Sequence, residues 1–145
     1  MSEAFTLDRC QAMFRAAPFV ADVGIEATAV SPGECHSALQ LQPRHLQHTG
    51  VVHAGVLTTM ADHTAGAAAQ SSVPSGGGVI LTAELKVSLL RAARGQSLRC
   101  AAKVLKPGRQ VVFVESEVYA IDGDKEQLVA KLSATMAVVA AALPV

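Results

Sequence analysis

Between Glu34 and Glu84 the chain carries a single acidic residue, Asp62, and it lies inside an Ala-rich run, AGVLTTMADHTAGAAAQ, from Ala54 to Gln70. Helix formers dominate that run. Val56, Leu57, Met60, Ala61, Thr64, Ala67 and Ala68 recur at helical spacing as a band too broad for a surface helix. A helix with so much apolar surface has to be covered by the rest of the chain. An ionised Asp on it must then be paired, hydrogen-bonded or functional, because burying an unpartnered charge is costly.

At 145 residues the chain has the length of one domain, taken here as 1–145, and is too short for two of ordinary size. Half the residues are hydrophobic, yet there are only four Phe, one Tyr and no Trp, so Ala, Val and Leu must fill the core and bring backbones close together. The 12 basic and 12 acidic residues cancel. With no basic face and no aromatics for base stacking, nucleic acid is not an expected partner. A high apolar fraction at zero net charge also points to surface covered by a second subunit.

Cys10, Cys35 and Cys100 are odd in number, widely spaced and form no CxxC pair, which leaves neither a disulfide framework nor a metal set. His45 and His48 form an HxxH without a nearby Cys or carboxylate, so no metal is expected there either. The N-terminus lacks the basic start and apolar run of a secretory signal, and no apolar stretch reaches membrane-spanning length without a charge or a turn. A cytoplasmic, reducing setting without a membrane partner is the expectation.

Residues 6–16 place Leu7, Cys10, Met13 and Phe14 at helical spacing before Pro18. Residues 20–30 and 34–41 flank the turn Ser31-Pro32-Gly33 and read as a hairpin, closed by Pro43. After the central helix, the loop SSVPSGGG leads into 79–90, where Leu81, Ala83, Leu85 and Val87 alternate with Thr82, Glu84, Lys86 and Ser88 as in a strand. Two further strands, 96–105 and 110–121, flank the turn Lys106 to Arg109. In the second, Val112, Val114, Val118 and Ala120 form the expected buried face, opposite Phe113, Glu115, Glu117 and Tyr119. The turn Asp122-Gly123-Asp124 opens a last strand at 128–139, ahead of a small apolar tail, 141–145. One long apolar helix among antiparallel strands predicts an α+β domain with the sheet wrapped around the helix.

Gly50, His53, Ala54, Gly55 and Asp62 form a G-x-x-H-[GA]-G pattern followed by an acidic residue nine positions after the His. On this motif, with support from KPGRQVVFVESEVYAIDGDKEQLVAKLSATM, residues 20 to 140 resemble the hotdog-fold thioesterases of the phenylacetate-degradation (PaaI-like) or 4-hydroxybenzoyl-CoA type. The resemblance implies hydrolysis of an acyl-CoA to a carboxylic acid and free CoA, with no metal or redox cofactor. It makes Asp62 the catalytic carboxylate, as nucleophile or general base, and the Ala54 N–H the donor that polarises the thioester oxygen. It places Gln47 near the thioester, has His53 shaping the loop, puts Gly55 in the substrate-binding motif, and sets Thr82 close to where some relatives carry a water-positioning Ser. Two positions depart from the pattern. Ala54 replaces the commoner Gly, and Gly66 replaces a hydroxyl residue found in some members.

The chemistry also follows from the residues themselves. A thioester oxygen gains negative charge under attack, and an unpaired N–H at a helix N-terminus is a ready donor for it. A partly desolvated carboxylate suits the base or nucleophile. Ala54 and Asp62 are eight residues apart, roughly 12 Å along a helix at about 1.5 Å per residue, so one carbonyl cannot touch both. A two-fold dimer in which Asp62 of one subunit faces Ala54 of the other resolves this, and a dimer of dimers is equally compatible.

Other readings of the same residues stand beside these. Asp62 can be a structural carboxylate, His53 a helix cap, Gln47 a loop amide, Thr82 a strand residue facing a polar pocket, and His63 an interface or surface residue. His53 and Asp62 as an acid and base pair would suit a hydratase or dehydratase, and a non-catalytic acyl-CoA-binding module needs neither. Gly76 to Gly78 lacks the Lys-Ser/Thr of a P-loop. For the CoA phosphates, Arg91, Arg94, Lys106 and Arg109 have the right charge and donors.

Overall fold

The computed structural model describes residues 4–140. Helix α1 (Leu7–Ala16) starts where the Thr6 hydroxyl accepts the Arg9 N–H, and it buries Cys10 and Phe14. Here the structure corrects the expected hairpin. Residues Pro18–Val23 form a short helix, α2, and strand β1 (Glu26–Ser31) begins only after it. Pro18 supplies the fixed φ of a first helical turn, and Gly24, at φ 95°, caps the end by donating its N–H to the Val20 carbonyl. These two signals outweigh the Val-rich composition that reads as a strand.

The remaining elements are β2 (Glu34–Gln40), a 3₁₀ turn at Pro43–His45, helix α3 (Ala54–Ser71), then β3 (Val79–Leu89), β4 (Ser97–Lys106), β5 (Val111–Asp122) and β6 (Lys125–Val139). The last strand starts three residues earlier than expected, because Gly123, at φ 61°, makes a hairpin turn tight enough for Asp122 to pair with Lys125. The apolar tail 141–145 lies outside the described residues.

All six strands form one antiparallel sheet in the order β1-β2-β4-β5-β6-β3, and α3 packs against one face of it, touching every strand. Ala61, Ala65, Ala67, Ala68 and Ala69 are fully buried on the helix, facing a sheet lined by Leu98, Val112, Val114, Val118, Leu132 and Met136. The expected buried face of β5 is the one observed. Small side chains let helix and sheet approach so closely that Ser116 Oγ, on β5, donates to the Ala61 carbonyl at 2.9 Å. Thr64 donates to the Met60 carbonyl at 2.7 Å and accepts from Ser37, on β2, at 2.6 Å. These buried hydroxyls are all satisfied, as buried polar groups must be.

Strand β3 is an edge strand and departs from simple alternation. Thr82 pairs with Met136 and Glu84 with Thr135, so Ala83 is an extra residue in a β-bulge. The bulge splits the expected apolar face. Leu81 pairs beside Ala137 on the outer side of the sheet, whereas Leu85 and Val87 pair beside Ala134 and Leu132 on the helix side. Thr82 joins the helix side with them, next to the buried Met136.

Candidate active site

The motif around the start of α3 has a local physical explanation. Gly50, at φ 86°, closes a turn in which its N–H reaches the Gln47 carbonyl, and the Gln47 N–H reaches the Val51 carbonyl. His45, buried beneath this loop, donates from Nε2 to the Val23 carbonyl at 2.6 Å and accepts the Gln42 N–H on Nδ1 at 3.0 Å. The HxxH histidine is thus a clamp on the loop. His53 is the N-cap of α3, and its Nδ1 accepts the Gly55 N–H at 2.8 Å. A Cβ on residue 55 would lie 2.9 Å from that nitrogen, which accounts for glycine there.

The His53 carbonyl accepts the N–H groups of Val56 and Leu57. Of the first amides of α3, the Ala54 N–H therefore has no acceptor among the described residues, and Ala54 is exposed. It stands at the positive end of the helix dipole as a free donor. The Gly55 amide is already committed to His53. Gln47 has its side-chain oxygen engaged by the Thr49 N–H at 3.0 Å, which leaves the NH₂ group able to donate.

Two turns further along, Asp62 is half-buried and accepts a hydrogen bond from Thr82 Oγ1 at 2.7 Å on Oδ1. The bulge in β3 is what turns this hydroxyl toward the helix. With one oxygen held, Oδ2 keeps its lone pairs for other work. His63 is not a surface residue. Its ring packs edge-on against Phe14 of α1 at 4.5 Å between centroids, and burial pushes its pKa down despite the neighbouring Asp62 charge. The helical rotation that separates it from Asp62 carries it under α1, an element whose docking site sequence spacing does not reveal.

Asp62 and Thr82 line a cavity of about 430 Å³, with Met13, Ala16 and Ala17 from α1 and the residue after it. Gln47, Ala54 and Arg91 line another, of about 360 Å³, with Leu89 and Leu90. Within one chain the carboxylate and the free amide open into separate spaces. The basic candidates divide as well. Arg91, which donates to the Leu128 carbonyl at 2.9 Å, and Arg94 lie at the end of the sheet where α3 begins. Lys106 and Arg109 flank the turn at the opposite end, beside the strand end that pairs with Val79. Of the four, Arg91 lines the Ala54 cavity, and Arg94, Lys106 and Arg109 line neither of the two.

A single helix embraced by a six-stranded antiparallel sheet is the hotdog fold, and the chain is similar to solved structures of the thioesterase superfamily. A thioesterase family protein from Silicibacter pomeroyi is 28% identical, with a TM-score of 0.85 over 90% of this chain and 96% of that one. A conserved protein from Pseudomonas aeruginosa is 32% identical, with a TM-score of 0.76 over 85% and 94%. A phenylacetic acid degradation-related protein from Ralstonia eutropha is 27% identical, with a TM-score of 0.76 over 89% and 98%. These likenesses place the fold and support thioester hydrolysis at the level of the superfamily. Within that class the chain belongs to the family described as Domain of unknown function (DUF4442), whose profile matches residues 9–138. No curated relative matches. Among the described residues no helix is long and apolar enough to cross a membrane.

Proposed function

We propose that the protein hydrolyses acyl-CoA thioesters in composite sites, each using Asp62 of one subunit and the Ala54 N–H of a second. The observation that carries this reading is the pairing of a free amide at a helix N-terminus with a hydroxyl-oriented carboxylate that opens into a different cavity of the same chain. Each cavity holds half of what the reaction needs. The Ala54 N–H, aided by the Gln47 amide, stabilises the oxygen of the attacked carbonyl. Asp62, its Oδ1 held by Thr82, acts through Oδ2 on the carbonyl carbon directly or through water. Arg91 borders the Ala54 cavity and is the proposed contact for the charged portion of CoA, with Arg94 beyond it. Lys106 and Arg109 of the second subunit are its distal candidates. His53 spends Nδ1 on the helix cap, which speaks against the acid and base pair of a hydratase.

Complementation tests the reading. Asp62→Asn removes the carboxylate. Ala54→Pro removes the N–H at a first helical position that tolerates proline, behind a His53 already at ψ 137°, as a residue before proline requires. Each variant alone is expected to lose about a hundredfold or more in kcat. Unfolded and refolded together in equal amounts, they recover about one quarter of wild-type activity, because half the dimers are mixed and each carries one intact site. Activity that stays at the level of the separate variants sinks the shared site. An acyl-CoA panel followed by thiol release sinks the hydrolase itself if no substrate yields free CoA.

A further inference from the structure

Gly66 lies one turn past Asp62 in the interior of an 18-residue helix, where glycine weakens the helix relative to alanine. Neither of the usual reasons for a glycine applies. Its φ is not positive, and a Cβ on it would meet nothing within 4 Å, whereas at Gly55, Gly78 or Gly95 it would strike a ring or a carbonyl. The missing side chain leaves open space, and that space is the 430 Å³ cavity that holds Asp62 and Thr82.

Leading away from the Asp62–Thr82 pair, the cavity walls are apolar: Met13 and Ala16 of α1, Ala17, and Val79 and Ile80 of β3. Gln70, at its far side, is held by the backbone of β3 and the residue before it: its side-chain oxygen accepts the Ile80 N–H at 3.0 Å, and its NH₂ donates to the Gly78 carbonyl at 3.1 Å. Burial favours the uncharged form of His63. Among the described residues that line it, Asp62 is then the one charge, and it stands beside the reacting end. A carboxylate carried into this space would lose its hydration and meet the Asp62 charge, with no cation in the lining to offset it and only the buried, unpartnered His63 Nε2 as a polar neighbour.

We propose that this cavity receives the acyl group, that Gly66 sets how bulky that group can be, and that acyl groups ending in a carboxylate are excluded. The inference rests on the thioesterase reading above. It assigns to one glycine the difference between admitting a bulky acyl group and excluding it.

The test compares wild type, Gly66→Ala and Gly66→Leu on acetyl-, octanoyl-, benzoyl- and succinyl-CoA, with calorimetric binding of free octanoate as a second measurement that needs no turnover. Wild type is expected to favour octanoyl- or benzoyl-CoA over acetyl- and succinyl-CoA. In Gly66→Leu the ratio of kcat/KM for octanoyl- over acetyl-CoA falls about tenfold or more, and octanoate binding weakens in parallel, with Gly66→Ala between the two. An unchanged ratio in a folded Gly66→Leu dimer overturns the proposal. So does succinyl-CoA turned over as well as octanoyl-CoA. Should Gly66→Leu fail to fold or to dimerise, Gly66→Ala decides: a wild-type profile there means the cavity is filled by the second subunit. If wild type hydrolyses nothing yet Gly66→Leu still weakens octanoate binding, the hydrolase reading falls and the subsite stands. If hydrolysis occurs but neither ratio nor binding moves, the reverse holds.

Discussion

Asp62 shows how one hydrogen bond changes the meaning of a residue. Composition predicts that a lone acid on an apolar helix must have a partner, and the structure supplies Thr82, twenty residues later. Thr82→Val keeps the shape of the side chain and removes the donor, freeing the carboxylate to rotate. We expect kcat to fall about tenfold with little change in KM, less than the loss for Asp62→Asn, because an orienting group acts through the one it positions. His63 gives a pH effect with a defined sign. Burial holds its folded-state pKa below the ordinary value of 6.5, so as pH falls beneath that value the unfolded chain takes up a proton the folded chain refuses. Thermal stability should therefore decline below about pH 6.5, and His63→Leu should flatten the decline in melting curves across that range. Both the capping role of His53 and the need for a partner at Asp62 were legible from residue type and spacing. The identity of that partner was not, since no local pattern announces a bond between a helix and an edge strand.

At the scale of elements, the β3 bulge does what regular alternation could not. Alternation from Val79 onward groups Leu81 with Leu85 and Val87, and so sends Thr82 to the outside. The extra residue Ala83 lets Thr82 and Leu85 both face α3. Deleting Ala83 should close the bulge into a regular ladder, because Thr82 and Glu84 already pair with the consecutive residues Met136 and Thr135, and should leave the hydroxyl facing Asp62. The expected result is a folded protein that keeps activity well above that of Thr82→Val, measured by steady-state kinetics beside circular dichroism. Gly66 makes the opposite kind of prediction. Its Cβ has room, so Gly66→Ala should raise stability to denaturant by about 0.5–1 kcal/mol. The apolar residues of α2 suit a strand as well as a helix, and only the Pro and Gly that bracket them mark the helix. Six residues are too few for periodicity to separate the two.

The whole molecule leaves apolar area in view. Leu81, Leu85 and Leu89 on edge strand β3, and Leu90 just after it, are exposed in the single chain, as is Phe113 on the outer face of the sheet. An edge strand of 11 residues with that composition is the surface expected to carry the proposed dimer. A shared site makes activity depend on association. Specific activity should fall on dilution as dimers separate, and sedimentation at working concentrations should give at least twice the 15.0 kDa chain mass. A chain that is monomeric and fully active at all concentrations contradicts the dimeric site.

The amino-acid order determined the long apolar helix, the antiparallel strands after it and the motif that frees the Ala54 amide, because each depends on neighbours a few residues apart. Capping, turn chemistry and apolar periodicity are local, and local physics can be read along a chain. Tertiary structure decided the rest: the seating of α1 over His63, the bulge that delivers Thr82 to Asp62, and the elements that wall the two cavities into which carboxylate and amide open. Those features come from packing between elements distant in sequence, where the balance of burial, space and hydrogen bonding is struck only once the sheet has closed around the helix.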